Sequence, residues 1–297
     1  MSIARACAIE NGKGGVGKTS IICNVGGLAA ADGARVLIVD LDPQNNTSKD
    51  LGYPMGDGAA LFNAFVTDAP LPILRNVRPN LDVVVGGEQV GDIPAMSFAW
   101  SQRGAGDFAD RLHAKLDDIA GEYDLILIDT PPGDRIISEG VLVVATSVVI
   151  PTQSDDGSLD GVMAVAKRFL AVRDRNPELQ LAGVVLFDME HRAMRLERGV
   201  RRDLEEMLGG VAPVFQRRIR HAKSPAKDAR ARGLLAHELE DAADADRKQR
   251  LVALRAGEKP VDGMYTRDAT GLAEDYQELT REIIRAVARI QAEVDAA

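Results

Sequence analysis

A glycine-rich segment near the start of the chain has the pattern of a phosphate-binding loop. Residues 12–20 read Gly-Lys-Gly-Gly-Val-Gly-Lys-Thr-Ser and match the spacing G-x-x-x-x-G-K-[ST]. In such a loop the glycines let successive backbone N–H groups point at phosphate oxygens, and the helix that follows adds its positive N-terminal end. The pattern predicts that Lys18 reaches the β- and γ-phosphates of a nucleotide and that Thr19 ligates magnesium. The other members of the predicted nucleotide site are Gly14, Gly15, Val16, Gly17 and Ser20.

Three acidic residues follow apolar runs that read as strands. Asp40 ends the run 35–40, Asp42 lies two residues beyond it, and Asp129 follows the run 125–128. Ligands of open α/β sheets bind beyond the carboxyl ends of the strands, so these carboxylates are expected beside the phosphates. The alternative is that they only cap strand ends and take no part in catalysis.

Apolar runs without polar alternation recur along the chain and alternate with helix-like stretches. Strands are predicted at 3–9, 35–40, 81–85, 125–128, 147–150 and 182–187, and helices at 18–31, 108–120 and 160–175. Such runs are typical of parallel strands covered on both faces. The sequence therefore predicts an α/β fold with a doubly wound, mostly parallel sheet and helices on both faces. We expect residues 1–297 to form a single domain, with a helical or loop excursion at about 237–265 and a C-terminal helix at about 273–294.

The charge of the chain is unevenly distributed. The net charge is -9, but residues 192–232 hold twelve Lys or Arg against five acids and are therefore +7. Arginines spaced three and four residues apart at 192–202 would share one face of a helix. Because few acids in the window can pair with them, we expect these arginines to bind the phosphate backbone of duplex DNA. A solvated helix with scattered ion pairs is the alternative. The expected DNA contacts are Arg192, Arg195, Arg198, Arg202, Arg217 and Arg220.

Three motifs together resemble the ParA/MinD family of P-loop ATPases, whose Walker A loop carries an extra lysine. They are the loop with Lys13, the segment Val-Leu-Ile-Val-Asp-Leu-Asp-Pro-Gln at 36–44, and Leu-Ile-Leu-Ile-Asp-Thr-Pro-Pro-Gly at 125–133. The Asp-Pro-Gln resembles the ParA side of the family. The resemblance implies a weak ATPase that uses ATP and Mg²⁺.

The resemblance also implies roles for individual residues. Lys13 would reach across an ATP-dependent homodimer to the partner subunit's phosphates. Asp42 would orient the attacking water, Asp40 would support the magnesium side, and Asp129 would hold the metal through water. Arg220 matches a family position that binds DNA.

By the same resemblance, the protein is expected to be a partition ATPase. Such a protein dimerises on ATP, binds DNA non-specifically and releases it when a ParB-like adaptor stimulates hydrolysis, which implies a cytoplasmic, nucleoid-associated location. One alternative is a MinD-like positioning switch, but the chain ends Gln-Ala-Glu-Val-Asp-Ala-Ala instead of in a basic amphipathic helix, so no membrane partner is expected. A metabolic ATP-dependent relative is the other alternative.

The segment expected to contact the base departs from the family. Family members carry Ile-Pro-Arg-Asn-Val-Arg, with the Pro and Asn against adenine, where residues 215–220 here read Phe-Gln-Arg-Arg-Ile-Arg. Gln216 and Arg218 occupy the two base-contact positions. Arg218 has two open roles, stacking on adenine or pointing to solvent.

Overall fold

One seven-stranded sheet organises the chain. The computed structural model describes residues 2–154, 156–190, 194–256 and 270–296. The strand order is β3-β4-β2-β5-β1-β6-β7, and every neighbouring pair is parallel except β3 with β4. The strands are β1 Ile3–Ile9, β2 Val36–Asp40, β3 Ile73–Arg78, β4 Leu81–Val84, β5 Leu125–Asp129, β6 Ala145–Thr152 and β7 Gln180–Leu186.

Helices cover both faces of this sheet. The two large apolar clusters lie on opposite faces of the sheet. One includes Phe65, Phe108 and Val141, and the other includes Ile22 and Leu279. The predicted doubly wound, mostly parallel α/β fold is therefore confirmed. The helices are α1 Lys18–Ala31, α2 Asn46–Leu51, α3 Ala59–Thr67, α4 Ile93–Gln102, α5 Phe108–Asp117, α6 Arg135–Val144, α7 Asp156–Val172, α8 Met194–Leu208, α9 Lys223–Arg232, α10 Ala236–Arg255 and α11 Thr270–Asp295.

The edge strand β3 has no counterpart among the predicted strands. Its sequence, Ile-Leu-Arg-Asn-Val-Arg, is half polar, and its pairing with β4 shifts register between Leu74 and Arg78. Asn76 in this strand has a φ of 55°. An edge strand can carry such residues because one side of it faces solvent, so its pattern differs from that of the buried parallel strands.

The predicted excursion at 237–265 begins as a helix. Its described part belongs to α10, while residues 257–265 lie outside the described residues. Helix α10 is anchored at its start, where Arg78 Nε donates a hydrogen bond of 2.6 Å to Glu238 Oε1. The predicted C-terminal helix at 273–294 corresponds to α11. No helix in the described parts of the chain is long and apolar enough to cross a membrane.

Candidate active site

The glycine-rich loop lies between the end of β1 and the start of α1, as its pattern predicts. Gly15 and Gly17 have φ angles of 79° and 84°, a region that residues with a Cβ rarely adopt. A Cβ on Gly17 would lie 2.3 Å from the ring of Phe187, so this position has no room for a side chain. The loop backbone is thus held in its turn by conformation and by packing.

Lys18 projects back over the start of the loop. The residue is 6% exposed, and its Nζ donates to the carbonyl oxygens of Asn11 and Lys13 at 3.3 Å and 3.4 Å. An ammonium group has three N–H donors, so one remains for a phosphate oxygen. Lys13 itself is partly exposed, and its backbone N–H donates to Asn11 Oδ1 at 2.9 Å.

The three predicted acids come together beside the loop. Asp40 and Asp129 are partners in the register of β2 and β5. Thr19 Oγ1 donates to Asp129 Oδ2 at 2.7 Å, and the backbone N–H of Asp42 donates to Asp40 Oδ1 at 2.9 Å. The hydroxyl of Thr47 donates to the other oxygen of Asp40. The structure therefore places the three acids together at one edge of the sheet, with Thr19 bonded to Asp129.

Asp40 and Asp129 lie in an environment that disfavours their charge. Burial raises the pKa of Asp40 to about 7. Burial also raises the pKa of Asp129, and the negative charge of Asp40 adds to this effect. A cation among these groups would favour the ionised carboxylates and reverse both shifts.

The donor set fits a magnesium ion held together with phosphates. Within the described residues Asp129 Oδ1 is a buried oxygen without a hydrogen-bond partner, and it lies beside the Thr19 hydroxyl. No group of three or more His, Cys, Asp or Glu residues suited to a metal ion occurs in the described part of the chain. Magnesium commonly binds to one or two protein oxygens, waters and substrate phosphates, and Thr19 and Asp129 supply such oxygens.

Asp42 lies where a water molecule could meet the phosphates. It lines the cleft next to the loop and is 6% exposed. Its Oδ1 accepts a hydrogen bond of 2.9 Å from the backbone N–H of Gln44. The side chain is therefore fixed in orientation.

Sequence reasoning missed a polar chain that begins at the loop. Ser20 Oγ donates to Asp50 Oδ2 at 3.0 Å, and Arg230 Nε donates to Asp50 Oδ1 at 2.6 Å. Asp50 is buried on α2 and Arg230 lies on α9, so these hydrogen bonds connect the loop to two other helices. No motif marks either residue. Asn24 adds a further link, because its Oδ1 accepts from the backbone N–H of Ala236 at 2.8 Å.

A cleft of about 580 Å³ extends from the loop to the end of β7 and to α9. Gln216 and Arg218 are not among its lining residues. The backbone N–H of Gln216 donates to Glu282, and Arg218 forms an ion pair of 2.9 Å with Glu197. The structure therefore does not bring the two expected base contacts to the cleft. The lining at this end includes Phe187, Asp188, Ile219, Arg220 and Lys223.

The structure corrects the reading of the basic window. Arg217 and Arg220 both pair with Asp275, a buried residue of α11, at 3.3 Å and 2.7 Å. The expectation that too few acids are available is wrong for these two arginines, because the acid comes from outside the window. They join α11 to the segment after β7, so their guanidinium groups are engaged within the fold.

The arginines of α8 are more exposed to solvent than Arg217 and Arg220. Arg195, Arg198 and Arg202 are exposed on α8, and Arg202 pairs with Asp203 at 3.0 Å. Arg195 and Arg198 form no ion pair within the described residues. Arg192 lies outside the described residues.

A phosphate loop between a central strand and its helix, with carboxylates at the ends of the adjoining parallel strands, defines a P-loop nucleotide-binding protein. Residues 4–181 match a family model described as an AAA domain. The chromosome partitioning protein ParA of Caulobacter vibrioides is 31% identical over 229 residues, which cover 74% of this chain and 84% of that protein. The chain belongs to the ParA-type family of P-loop ATPases.

Solved structures agree with this fold. Cyanothece McdA in complex with ATP superposes with a TM-score of 0.72 at 17% identity, covering 96% of this chain and 97% of that one. The ParA of pNOB8 bound to nonspecific DNA has a TM-score of 0.61 at 18% identity, with coverages of 97% and 99%. At these identities the likeness concerns the fold alone.

Proposed function

We propose that the chain is a partition ATPase that binds Mg·ATP, dimerises, holds DNA non-specifically and releases it when a ParB-like partner stimulates hydrolysis. The proposal rests on one observation: Thr19 and the three acids lie together beside the loop, and Lys13 of that loop is partly exposed. The name of the Caulobacter relative supports the partition role.

The chain's own residues would carry out the hydrolysis of ATP. Lys18 neutralises charge on the β- and γ-phosphates, and Asp42 accepts a hydrogen bond from the attacking water. Magnesium, when held by Thr19 and Asp129, supplies further neutralisation of the phosphate oxygens. Lys13 of the second subunit would place a positive charge where negative charge develops in the transition state. Hydrolysis is therefore tied to dimerisation.

The proposed DNA surface is the exposed face of α8. Arg195 and Arg198 project from it without ion-pair partners in the described residues, and Arg202 lies one turn beyond Arg198. Phosphate contacts of this kind do not read base sequence. The surface of one subunit is small, so two subunits brought together by ATP would bind more firmly. A protein that binds DNA in this way would associate with the nucleoid and segregate plasmid or chromosomal DNA.

A DNA-binding titration tests this function. Wild-type protein is titrated with two unrelated duplexes, with and without Mg·ATP, between about 50 and about 200 mM salt. We expect binding that requires ATP, weakens steeply with salt and is similar for both duplexes. Arg195→Ala and Arg198→Ala should each lower the log–log salt slope by roughly two units, about one for each subunit of the dimer, and leave ATP binding intact.

The exposed Arg103 lies outside the basic window, so Arg103→Ala is the matched control and should leave the slope unchanged. DNA binding that ignores ATP or salt, or that survives the double variant Arg195→Ala, Arg198→Ala, would contradict the proposed DNA role. ATP-dependent dimerisation without any DNA binding would favour a positioning switch or a metabolic relative instead.

A further inference from the structure

The first turn of α1 is bound to carboxylates on two sides. Thr19 Oγ1 donates to Asp129 Oδ2 at 2.7 Å, toward the strands that carry the candidate metal site. Ser20 Oγ donates to Asp50 Oδ2 at 3.0 Å, toward α2. The two hydroxyl residues follow each other in the sequence, but only Asp129 belongs to the candidate metal site. Asp50 therefore binds a residue of the phosphate loop from outside that site.

Asp50 takes up the hydrogen that Ser20 could offer to a nucleotide. A serine hydroxyl has one hydrogen and an ionised carboxylate only accepts, so the hydrogen of Ser20 points at Asp50. The hydroxyl cannot donate to a phosphate oxygen at the same time. Both residues line the cleft next to the loop, and Asp50 is 6% exposed. A buried negative charge thus lies close to the place where negatively charged phosphates would bind.

Arg230, on α9, compensates the charge of Asp50. Its Nε donates to Asp50 Oδ1 at 2.6 Å. The Arg230 side chain is 44% exposed and also lines the cleft. Because opposite charges at this distance largely cancel at longer range, the paired guanidinium attracts phosphates less than a free one would. Asp50 therefore lowers the attraction for phosphates in two ways, since it engages the Ser20 hydroxyl and neutralises Arg230.

Other contacts hold α2 against α9. Gly52 and Gly233 end the two helices, and a Cβ on Gly233 would lie 2.3 Å from Gly52 Cα, so the two backbones are in direct contact. Arg78 donates to Leu51 O at 3.0 Å and to Gly233 O at 2.9 Å, which joins the same helix ends. Substitutions in the ion pair are therefore expected to leave this packing in place.

We propose that Asp50 limits the affinity of the cleft for nucleotide phosphates, because it engages the Ser20 hydroxyl and neutralises Arg230. The inference rests on the proposed nucleotide site and adds a residue that sets how tightly the site binds. A site that binds phosphates less tightly releases ADP faster. Asp50 thereby favours the exchange of ADP for ATP after hydrolysis.

Titration calorimetry with Mg·ADP tests the inference by the sign of each change. ADP is used because the proposed dimer forms on ATP, so the affinity for ADP reports on a single subunit. Asp50→Asn removes the negative charge and frees Arg230. It should tighten binding by about tenfold, the effect of one unit charge about 10 Å away at an effective dielectric constant of about 20. Arg230→Met leaves the carboxylate uncompensated and should weaken binding about as much. The double variant and Arg230→Lys, which keeps the charge, should bind like wild type.

A matched ion pair provides the control. Arg35 Nη2 lies 2.8 Å from Asp124 Oδ1, at the opposite end of β5 from the loop. Asp124→Asn and Arg35→Met make the same changes of charge away from the cleft, so both should leave the affinity for ADP unchanged. In stopped-flow measurements, a fluorescent ADP analogue should dissociate more slowly from Asp50→Asn than from wild type.

Three results would overturn the role of Asp50. They are weaker binding in both single variants, which a merely structural pair would produce, unchanged affinity in both, and equal shifts in the control pair. Urea unfolding shows whether the variants are folded. If Asp50→Asn is not, Arg230→Met and Arg230→Lys decide the question, since equal affinities of these two variants would exclude an effect of charge. Failure of wild-type protein to bind ADP or ATP would instead overturn the proposed nucleotide site.

Discussion

The buried ion pair beneath the phosphate loop offers a quantitative test of what holds the site in place. Glu10 lies two residues before Gly12, the first residue of the loop, and is 0% exposed. Arg168 Nη1, from α7, donates to Glu10 Oε1 at 2.6 Å, and Ser138 Oγ, from α6, lies 3.2 Å from both carboxylate oxygens. Burial raises the pKa of Glu10, and the charge of Arg168 lowers it in part. Arg168→Met removes that charge and keeps an unbranched apolar side chain.

We expect Arg168→Met to lower the free energy of unfolding by about 3–5 kcal/mol at neutral pH, because it leaves a buried carboxylate without its counter-charge. The pKa of Glu10 should rise further in this variant. A carboxyl group with a raised folded-state pKa stabilises the fold below its unfolded pKa and loses that contribution as the pH rises through the folded value. The deficit of the variant should therefore be larger at about pH 8 than at about pH 5.

Urea unfolding of wild type, Arg168→Met, Glu10→Gln and the double variant forms a double-mutant cycle. The cycle measures the interaction free energy between Arg168 and Glu10. The double variant should regain most of the stability, since a neutral pair of similar size often replaces a buried ion pair at little cost. A loss in Arg168→Met of under about 1 kcal/mol, typical of a surface ion pair, would refute the reasoning. An equal loss at both pH values would refute it too.

Further predictions concern single residues of the site and its surroundings. Lys18→Ala should abolish ATP binding in equilibrium titrations, and near wild-type affinity would contradict the phosphate-loop assignment. Asp42→Ala should bind Mg·ATP and dimerise while phosphate release stops; a variant that stays monomeric with ATP would make Asp42 structural. Without magnesium, the contribution of Asp40 to stability should fall as the pH rises, by up to about 1.4 kcal/mol per pH unit between about pH 4 and pH 7, because burial raises the pKa of Asp40 to about 7. Denaturation of Asp40→Asn should show a flatter profile, and an unchanged profile would exclude Asp40 as the source. Arg220→Ala should lower the unfolding free energy by leaving Asp275 buried with fewer partners, whereas unchanged stability would return Arg220 to the candidates for DNA binding.

The parts of the site that the sequence predicts are those coded within a few residues. The loop at 12–20 is recognised from the spacing of its own residues. Asp40, Asp42 and Asp129 follow strands whose apolar runs are unbroken. Parallel strands bring their carboxyl ends to one edge of the sheet, so adjacency of β2 and β5 is enough to join these acids. Local pattern and a general rule of sheet topology therefore suffice for the phosphate end.

The end of the cleft near β7 could not be predicted in the same way, because it depends on contacts between distant segments. Asp188 and His221 are 33 residues apart and meet through the pairing of the segment after α8 with β7. Asp50 and Arg230 are 180 residues apart. Neither pair has a spacing that marks it, and a resemblance to a family segment placed Gln216 and Arg218 at a position that the fold turns away from the cleft.

Contacts between distant segments also decide which arginines of the basic window are available to DNA. A count of charges treats every arginine as available, but Asp275 engages Arg217 and Arg220 from another helix. Of the described candidates, only Arg195, Arg198 and Arg202 are exposed on one face. About three phosphate contacts per subunit give a log–log salt slope near −2.7, and a dimer that uses both faces gives about −5.4. A fourfold rise in salt would then weaken a monomer by roughly 40-fold and a dimer by roughly three decades. The measured slope therefore counts the subunits on the DNA, and a slope near the monomer value in the presence of ATP would show that dimerisation does not join the two α8 faces.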